Sequence, residues 1–397
     1  MADLFLTLDR SAGRLAGQVA AELRLAIRDR RLGGGTRLPS SRELGLDLGV
    51  SRGVVVAAYE QLVAEGFLTA RPGDGTRVAM IPATPAAGRT GTGAGPGAEA
   101  PVAYDLRLGR PDLSAFPRER WLSAVKHVLR TLPHTGLAYP DPAGVPALRT
   151  ELAAYLGRVR SAVTTPAQIV ITGGVAHGLS TVVRVLGRTL AIEDPTSSRQ
   201  LPMLAAARVP LVQVPVDAEG IDVAALASTT ARAVLVTPAH QFPTGVVLSP
   251  GRRAELLAWA RAVDGVIIED DYDAEFRYDR EPVGCLQGVD ADRVVLLGSV
   301  SKALAPALRL GWMAAPPALA DAVANFRAET DLGSPVIEQH ALAHLIATGA
   351  YDRQLRLMRR TYRARRDALV TALEEHLPGA RISGISAGLH LYVALPP

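Results

Sequence analysis

Lysine is almost missing from this chain. Of its 43 basic residues only Lys126 and Lys302 are lysines, and the other 41 are arginines. Cysteine is nearly missing too: a single Cys285 excludes an intrachain disulfide and fits a reducing compartment. No run approaches the ~18 apolar residues that a membrane-spanning helix needs. The opening MADLFLTLDR has no basic segment followed by a long apolar one. A cytoplasmic protein with no membrane segment is the expectation. The net charge of +4 permits a nucleic-acid partner without arguing for one. What is present is a 48% hydrophobic content over 397 residues, enough for a large core and for two or more domains. No internal repeat is visible.

Arginine carries charge as well as lysine and binds oxyanions better, but it stays protonated and cannot act as an amine nucleophile. A position that has remained lysine in so arginine-rich a chain therefore points to amine chemistry. Lys302 lies in GSVSKALAPALRLG, Gly298–Gly311, after the strand-like run Val294–Leu297. Ser299, Ser301 and Arg309 around it are phosphate-binding types, the arginine by a bidentate fork. A lysine between phosphate ligands suggests pyridoxal phosphate held as a Schiff base. A solvated lysine in a surface loop is the bland alternative.

Residues 1–80 read as a small α+β unit. Leu15, Val19, Leu23 and Ile27 recur every four positions and mark a first helix, ended by Gly33–Gly35. Ser40 and Glu43 predict a capping box for a second helix. Gly49-Val50 predicts a tight turn, and Ser51 is placed to cap a third helix carrying Val55, Tyr59, Leu62 and Val63. Two helices on such a turn make a helix-turn-helix. Phe67–Ala70 and Thr76–Val78, around Pro72-Gly73-Asp74-Gly75, predict a wing hairpin. The 11 Arg of this unit barely outnumber its 9 Asp plus Glu, so position decides. Arg42, Ser51, Arg52, Arg71 and Gly73 fall at the second helix, the start of the third helix and the wing, where a recognition helix meets base edges and phosphates. A winged helix used only for protein contacts is the alternative. Residues 81–103, rich in Pro, Gly, Ala and Thr, predict a flexible linker.

From 104 to 397 strand-like runs alternate with amphipathic helices, which predicts an α/β domain with a mainly parallel sheet. Gln168–Thr172 runs into Gly173-Gly174-Val175-Ala176-His177-Gly178, a glycine turn opening a helix and so a candidate phosphate cradle. Val234–Thr237 and Val266–Ile268 are further strands, the last followed by the acidic Glu269-Asp270-Asp271-Tyr272-Asp273-Ala274-Glu275. Sites in parallel sheets lie beyond the carboxyl ends of strands. A carboxylate facing the pyridine nitrogen keeps it protonated, and a phenol near the ring hydroxyl tunes the bound cofactor; Asp270 and Tyr272 are the choices. A divalent-metal site is the rival, but the spacing is no calcium loop and no histidine is nearby in sequence. A solvated acidic turn is the other alternative.

Residues 14–78, through PSSREL, GVSRGVVVAAYEQLVAEG and GDGTRV, resemble the winged helix-turn-helix DNA-binding domain of the GntR family of bacterial regulators. Gly53 departs from that family, which usually has a hydroxyl residue there. Residues 104–395 resemble the fold-type I aminotransferase domain. AYPDPAGVPALRTELAAYL, TPAHQFPTG, IIEDDYDAEFRY and GSVSKALAPALRLG resemble the MocR subfamily, in which a GntR reader is fused to such a domain. The resemblance implies that Lys302 forms the internal aldimine, Asp270 pairs with the pyridine nitrogen and Tyr272 bonds the ring hydroxyl. It implies phosphate contacts from Ser299, Arg309 and the turn Gly174, Val175, Ala176. Tyr139 matches a tyrosine that reaches the phosphate of the partner subunit, which implies a homodimer. Arg199 matches a carboxylate-binding arginine. Ser197 stands where the subfamily has an aromatic stacked on the ring, and Leu186–Ile192 is shorter than the family pattern. Relatives continue past Pro397 through a C-terminal subdomain bearing a substrate-carboxylate arginine, so the chain is expected to be truncated or to lack that contact. The expectation is a pyridoxal-phosphate-dependent regulator of a double-stranded DNA operator, sensing an amino compound or the cofactor itself. A working aminotransferase carrying a reader, and a regulator that has lost the cofactor, stay open.

Overall fold

The computed structural model describes residues 6, 8–71, 75–80, 106, 110–273, 275–278 and 283–396, in two compact units, Met1–Ala103 and Tyr104–Pro397. The first unit has helices α1 (Leu15–Arg28), α2 (Ser41–Asp47) and α3 (Arg52–Ala64) and the hairpin β1 (Leu68–Arg71) with β2 (Gly75–Val78). Val19, Leu23 and Ile27 of α1 pack on Val55, Tyr59 and Leu62 of α3, a core built from the 3.6-residue period. The capping box forms: Ser40 Oγ accepts from the Glu43 N–H at 3.2 Å, and Glu43 Oε2 accepts from the Ser40 N–H at 2.9 Å. Gly49 takes the turn at φ 62°, and the Arg10 guanidinium donates to the carbonyls of Leu48 and Gly49 at 3.2 Å each. Ser51 stands at the N-cap of α3 in extended conformation, but its side chain makes no capping bond. The hydroxyl stays exposed.

The second unit is organised on an eight-stranded sheet in the order β3-β10-β9-β8-β7-β4-β5-β6. Its strands are β3 (Ile169–Thr172), β4 (Leu190–Asp194), β5 (Leu211–Asp217), β6 (Gly220–Ile221), β7 (Ala233–Val236), β8 (Val266–Asp270), β9 (Val294–Ser299) and β10 (Gly311–Ala314). β10 runs antiparallel to both of its neighbours, β6 antiparallel to β5, and the remaining pairs are parallel. The central strands are unbroken apolar runs such as VVLL in β9, as expected where both faces are covered. The cover comes from α4 (Arg118–Thr131), α5 (Pro146–Arg160), α6 (Val175–Leu186), α7 (Leu201–Ala206), α8 (Val223–Ala227), α9 (Pro250–Ala262), α10 (Pro317–Thr330) and α11 (Val336–Ala347). A long helix, α12 (Ala350–His376), leads to the hairpin β11 (Arg381–Ser383) with β12 (Tyr392–Ala394). The sequence pattern ended one strand at Ile268; the ladder carries β8 on to Asp270, because Glu269 and Asp270 still pair with Leu296 and Leu297.

Candidate cofactor site

The carboxyl ends of β3, β9, β8, β7 and β4 lie along one edge of the sheet, and the groups singled out above collect there. β3 ends at Thr172, and the chain turns through Gly173-Gly174 into α6. Gly174 has φ 91°, a conformation that side chains rarely adopt, and a Cβ built on it would lie 3.3 Å from the Arg309 guanidinium. Arg309 therefore rests against the turn. Gly311 pairs with Thr172 on one side and Ser299 on the other, so a single residue of β10 separates the ends of β3 and β9. A Cβ on Gly311 would sit 2.7 Å from the Gly174 Cα, which brings the Ser299 end of β9 close to the same turn. The Ser301 N–H donates to Ser299 Oγ at 3.3 Å. α6 has no side-chain cap and no acid in its first turn, so the N–H groups of Val175 and Ala176, its first two residues, keep the positive end of the helix dipole. Helix start, hydroxyls and guanidinium are the group types that could hold an anion.

Lys302 stands three residues beyond the end of β9 and is half-buried. Burial lowers its ammonium below the ordinary lysine range; Asp273 and Asp270 oppose that, and the charge of Arg199 adds to it. A depressed ammonium gives up its proton more readily than an ordinary lysine, which is the direction amine chemistry needs.

The acidic stretch sorts itself by partner. Glu269 accepts from the N–H groups of Leu286 and Gln287 at 3.1 and 3.2 Å. Asp271 takes both arms of the buried Arg160 at 2.7 and 2.9 Å. Asp273 Oδ2 is 2.9 Å from His240 Nδ1, and Glu275 accepts from the Tyr155 hydroxyl at 3.2 Å. Asp270 differs from the rest. Its Oδ2 accepts from Gln200 Nε2 at 3.0 Å, while its Oδ1 is buried with no hydrogen-bond partner. Burial pushes its carboxyl up to about 7 against the bond from Gln200; Asp271 and Asp273 push the same way and Lys302 opposes. An orphaned buried acceptor next to a lysine fits a charged N–H donor such as a protonated pyridine ring.

Residues 105–397 match the family described as aminotransferase class I and II, and residues 15–78 match the bacterial regulatory proteins of the gntR family. The chain belongs to the MocR subfamily of GntR-type regulators. The chain is 34% identical to the HTH-type pyridoxine biosynthesis transcriptional regulator PdxR of Corynebacterium glutamicum, covering 98% of this chain and 85% of that protein. It is 32% identical to the probable rhizopine catabolism regulatory protein MocR of Rhizobium meliloti, over 94% of this chain and 80% of that one. Among solved structures, the kynurenine aminotransferase of Pyrococcus horikoshii superposes with a TM-score of 0.67 at 28% identity, covering 74% of this chain and 76% of that one. The aminotransferase class I and II family binds pyridoxal phosphate.

Several groups of this MocR-type site are invisible in local sequence. Gln200 holds Asp270 from 70 positions away. The Tyr272 hydroxyl donates to the His240 carbonyl at 3.0 Å and lies 3.1 Å from His240 Nδ1; burial raises its pKa well above 10. His390 Nε2 lies 3.2 Å from the Pro243 carbonyl. No histidine neighbours the acidic stretch along the chain, yet the fold brings His240 and His390 to Asp273, with ligand atoms all within 4.8 Å of one another. Hydrogen bonds already engage these groups. Of the two histidines, only His240 lies in a segment the sequence singled out, TPAHQFPTG at the end of β7. Glu193, at the end of β4, is buried and pushed up to about 7 by burial, and it accepts from the Thr237 hydroxyl at 2.7 Å. Ser197 is half-buried between β4 and α7. Arg199, just beyond it, is exposed. Tyr139, in the loop before α5, is 86% exposed and makes no hydrogen bond among the described residues. In the reader, Arg42, Ser51, Arg52 and Arg71 are all exposed, at α2, the start of α3 and the end of β1. Gly73 lies outside the described residues.

Proposed function

We propose that this MocR-type chain is a DNA-binding transcriptional regulator that holds pyridoxal phosphate at Lys302 and responds to a small amino compound, or to the cofactor itself, at that site. The observation that carries the reading is the buried, unpartnered Oδ1 of Asp270 beside a lysine of depressed basicity. When bound, the cofactor supplies an electrophilic carbon that condenses with primary amines. The rest is done by the chain. Lys302 offers its amine and gives way to the amine of an effector. Asp270, oriented by Gln200, would hold a protonated ring nitrogen. Tyr272 would meet the ring hydroxyl, and Ser299, Arg309 and the N–H groups of Gly174, Val175 and Ala176 would hold the phosphate. Arg199, whose charge reaches Lys302, is placed to bind an effector carboxylate.

In the reader, Arg42, Ser51, Arg52, Arg71 and Gly73 would meet a double-stranded operator, with phosphate contacts positioning and base contacts specifying. We read the acting species as a cytoplasmic homodimer in which Tyr139 completes the partner's phosphate site, which accounts for its exposure in a single chain. Effector binding then shifts a two-state arrangement of the readers. With Ser197 in place of a stacking aromatic, the ring relies on Lys302, Asp270 and the phosphate groups, a weak hold for repeated turnover. The test is a paired assay across a panel of amino acids and amines, reading operator affinity and keto-acid release together. The proposal expects altered DNA binding with little keto acid. Multiple turnovers with unchanged DNA affinity would replace it by a working aminotransferase.

A further inference from the structure

The α12 helix carries charge that its own stability does not call for. Ala350–Arg366 holds seven arginines against one acid, Asp352, whereas the other acids, Asp367, Glu374 and Glu375, all come after it. That order opposes the helix dipole, which favours acids near the N-terminus and bases near the C-terminus. It also differs from a surface helix laced by opposite charges four apart, since Arg363 with Asp367 is the one such pair that Ala350–His376 forms among the described residues.

The inward face of α12 is fixed. Tyr351, Gln354, Met358 and Tyr362 are buried; Gln354 Nε2 donates to the Ala115 carbonyl at 3.0 Å, and the Tyr362 hydroxyl accepts from the Asp112 N–H at 2.8 Å. Arg353, Arg356, Arg360 and Arg363, at steps of three, four and three, therefore form one exposed row. The row extends over roughly 15 Å at 1.5 Å rise per residue. Its guanidiniums are poorly neutralised. Arg363 stands 3.8 Å from Asp367, with the two side chains 62% and 56% exposed. Arg353 donates to the Thr348 carbonyl and Arg360 to that of Arg356, and neither Arg356 nor Arg360 has a carboxylate partner among the described residues. Beside the row, Arg356, Arg359 and Arg158 line a cavity of about 530 Å³ between α5 and α12, where Asp352 neutralises only Arg158, at 2.9 Å.

We infer that the Arg353–Arg363 row docks the phosphate backbone of duplex DNA, in addition to the contacts made by the reader. Charge complementarity selects this occupant. Duplex DNA offers one phosphate per ~3.4 Å of axis along each strand, so about four face a row of this length. Guanidinium forks match phosphate oxygens in pairs. The reader needs such help: its 11 arginines against 9 acids attract a polyanion only weakly.

The test uses the chain with reader and second unit together and a mixed-sequence duplex of roughly 40 base pairs, about four helical turns. Binding is followed by fluorescence anisotropy over a salt series, because each phosphate contact contributes about 0.9 to the slope of log affinity against log salt. Substituting Arg356→Gln, Arg360→Gln and Arg363→Gln together should make the slope shallower by roughly 1–3 and weaken binding at least tenfold at low salt. The corresponding triple lysine variant should keep the slope. Unchanged slope and affinity in the glutamine variant overturn the inference. So does a shift from dimer to monomer in sedimentation, which would give the row to a second copy of the chain. Arg52→Ala, measured in parallel, separates the outcomes: if it alone weakens binding, the DNA-binding function stands and α12 has no part in it.

Discussion

Asp270→Asn should act in opposite directions on the free chain and on the chain with cofactor. The Asp270 carboxyl is held at about 7 against an ordinary 3.8, chiefly by burial. A raised carboxyl means that the folded state binds more protons than the unfolded state between those values, so its contribution to stability falls as pH rises through that window. At 1.36 kcal/mol per unit the full cost of holding the charge is about 4 kcal/mol, an upper bound that water entry reduces. Asparagine keeps an acceptor for Gln200 and removes the charge, at the expense of an amide N–H₂ lacking a designed partner, about 1 kcal/mol. The cofactor-free variant should therefore gain roughly 1–3 kcal/mol at pH 8, a few degrees in melting temperature for a unit of this size. At pH 5 the wild-type carboxyl is already protonated and the gain should vanish. With pyridoxal phosphate the sign reverses, because asparagine cannot neutralise a protonated ring nitrogen, and retention should weaken by at least tenfold. Scanning calorimetry at the two pH values, with and without cofactor, and cofactor release on dilution measure both effects. A variant less stable than wild type at pH 8 without cofactor, or one that retains cofactor equally well, would refute the reasoning.

Lys302→Ala should abolish the borohydride-trappable cofactor adduct while Lys126→Arg leaves it intact; peptide mapping of the reduced protein decides, and an adduct on Lys126 would overturn the assignment. Arg52→Ala, at the exposed start of α3, should cost on the order of 1–3 kcal/mol in specific operator binding in a salt-controlled titration. Gly174→Ala places a Cβ at φ 91° against Arg309, so it should destabilise the fold by about 1–2 kcal/mol in denaturant and loosen phosphate retention. Equal stability would mean that the turn relaxes freely.

Local signals read from the sequence alone were the ones with short range. The capping box at Ser40 and Glu43, the period of α1 and the apolar run of β9 each depend on contacts within a few residues, which spacing encodes directly. The arginine-rich composition narrowed the amine candidates to Lys126 and Lys302, and the neighbouring Ser299, Ser301 and Arg309 favoured the second. The resemblance carried the remaining site residues. Tertiary structure decided which acid in the Glu269–Glu275 stretch keeps an unpartnered oxygen. Sequence presents five similar carboxylates; the fold commits four of them to backbone N–H groups, Arg160, His240 or Tyr155, and leaves Asp270 with an orphaned oxygen. It also decided that Gly311 would bring the ends of β3 and β9 together, and that Gln200 would reach Asp270. Strand order fixes those meetings. It is set by packing both faces of an eight-stranded sheet, a global compromise that no local spacing records.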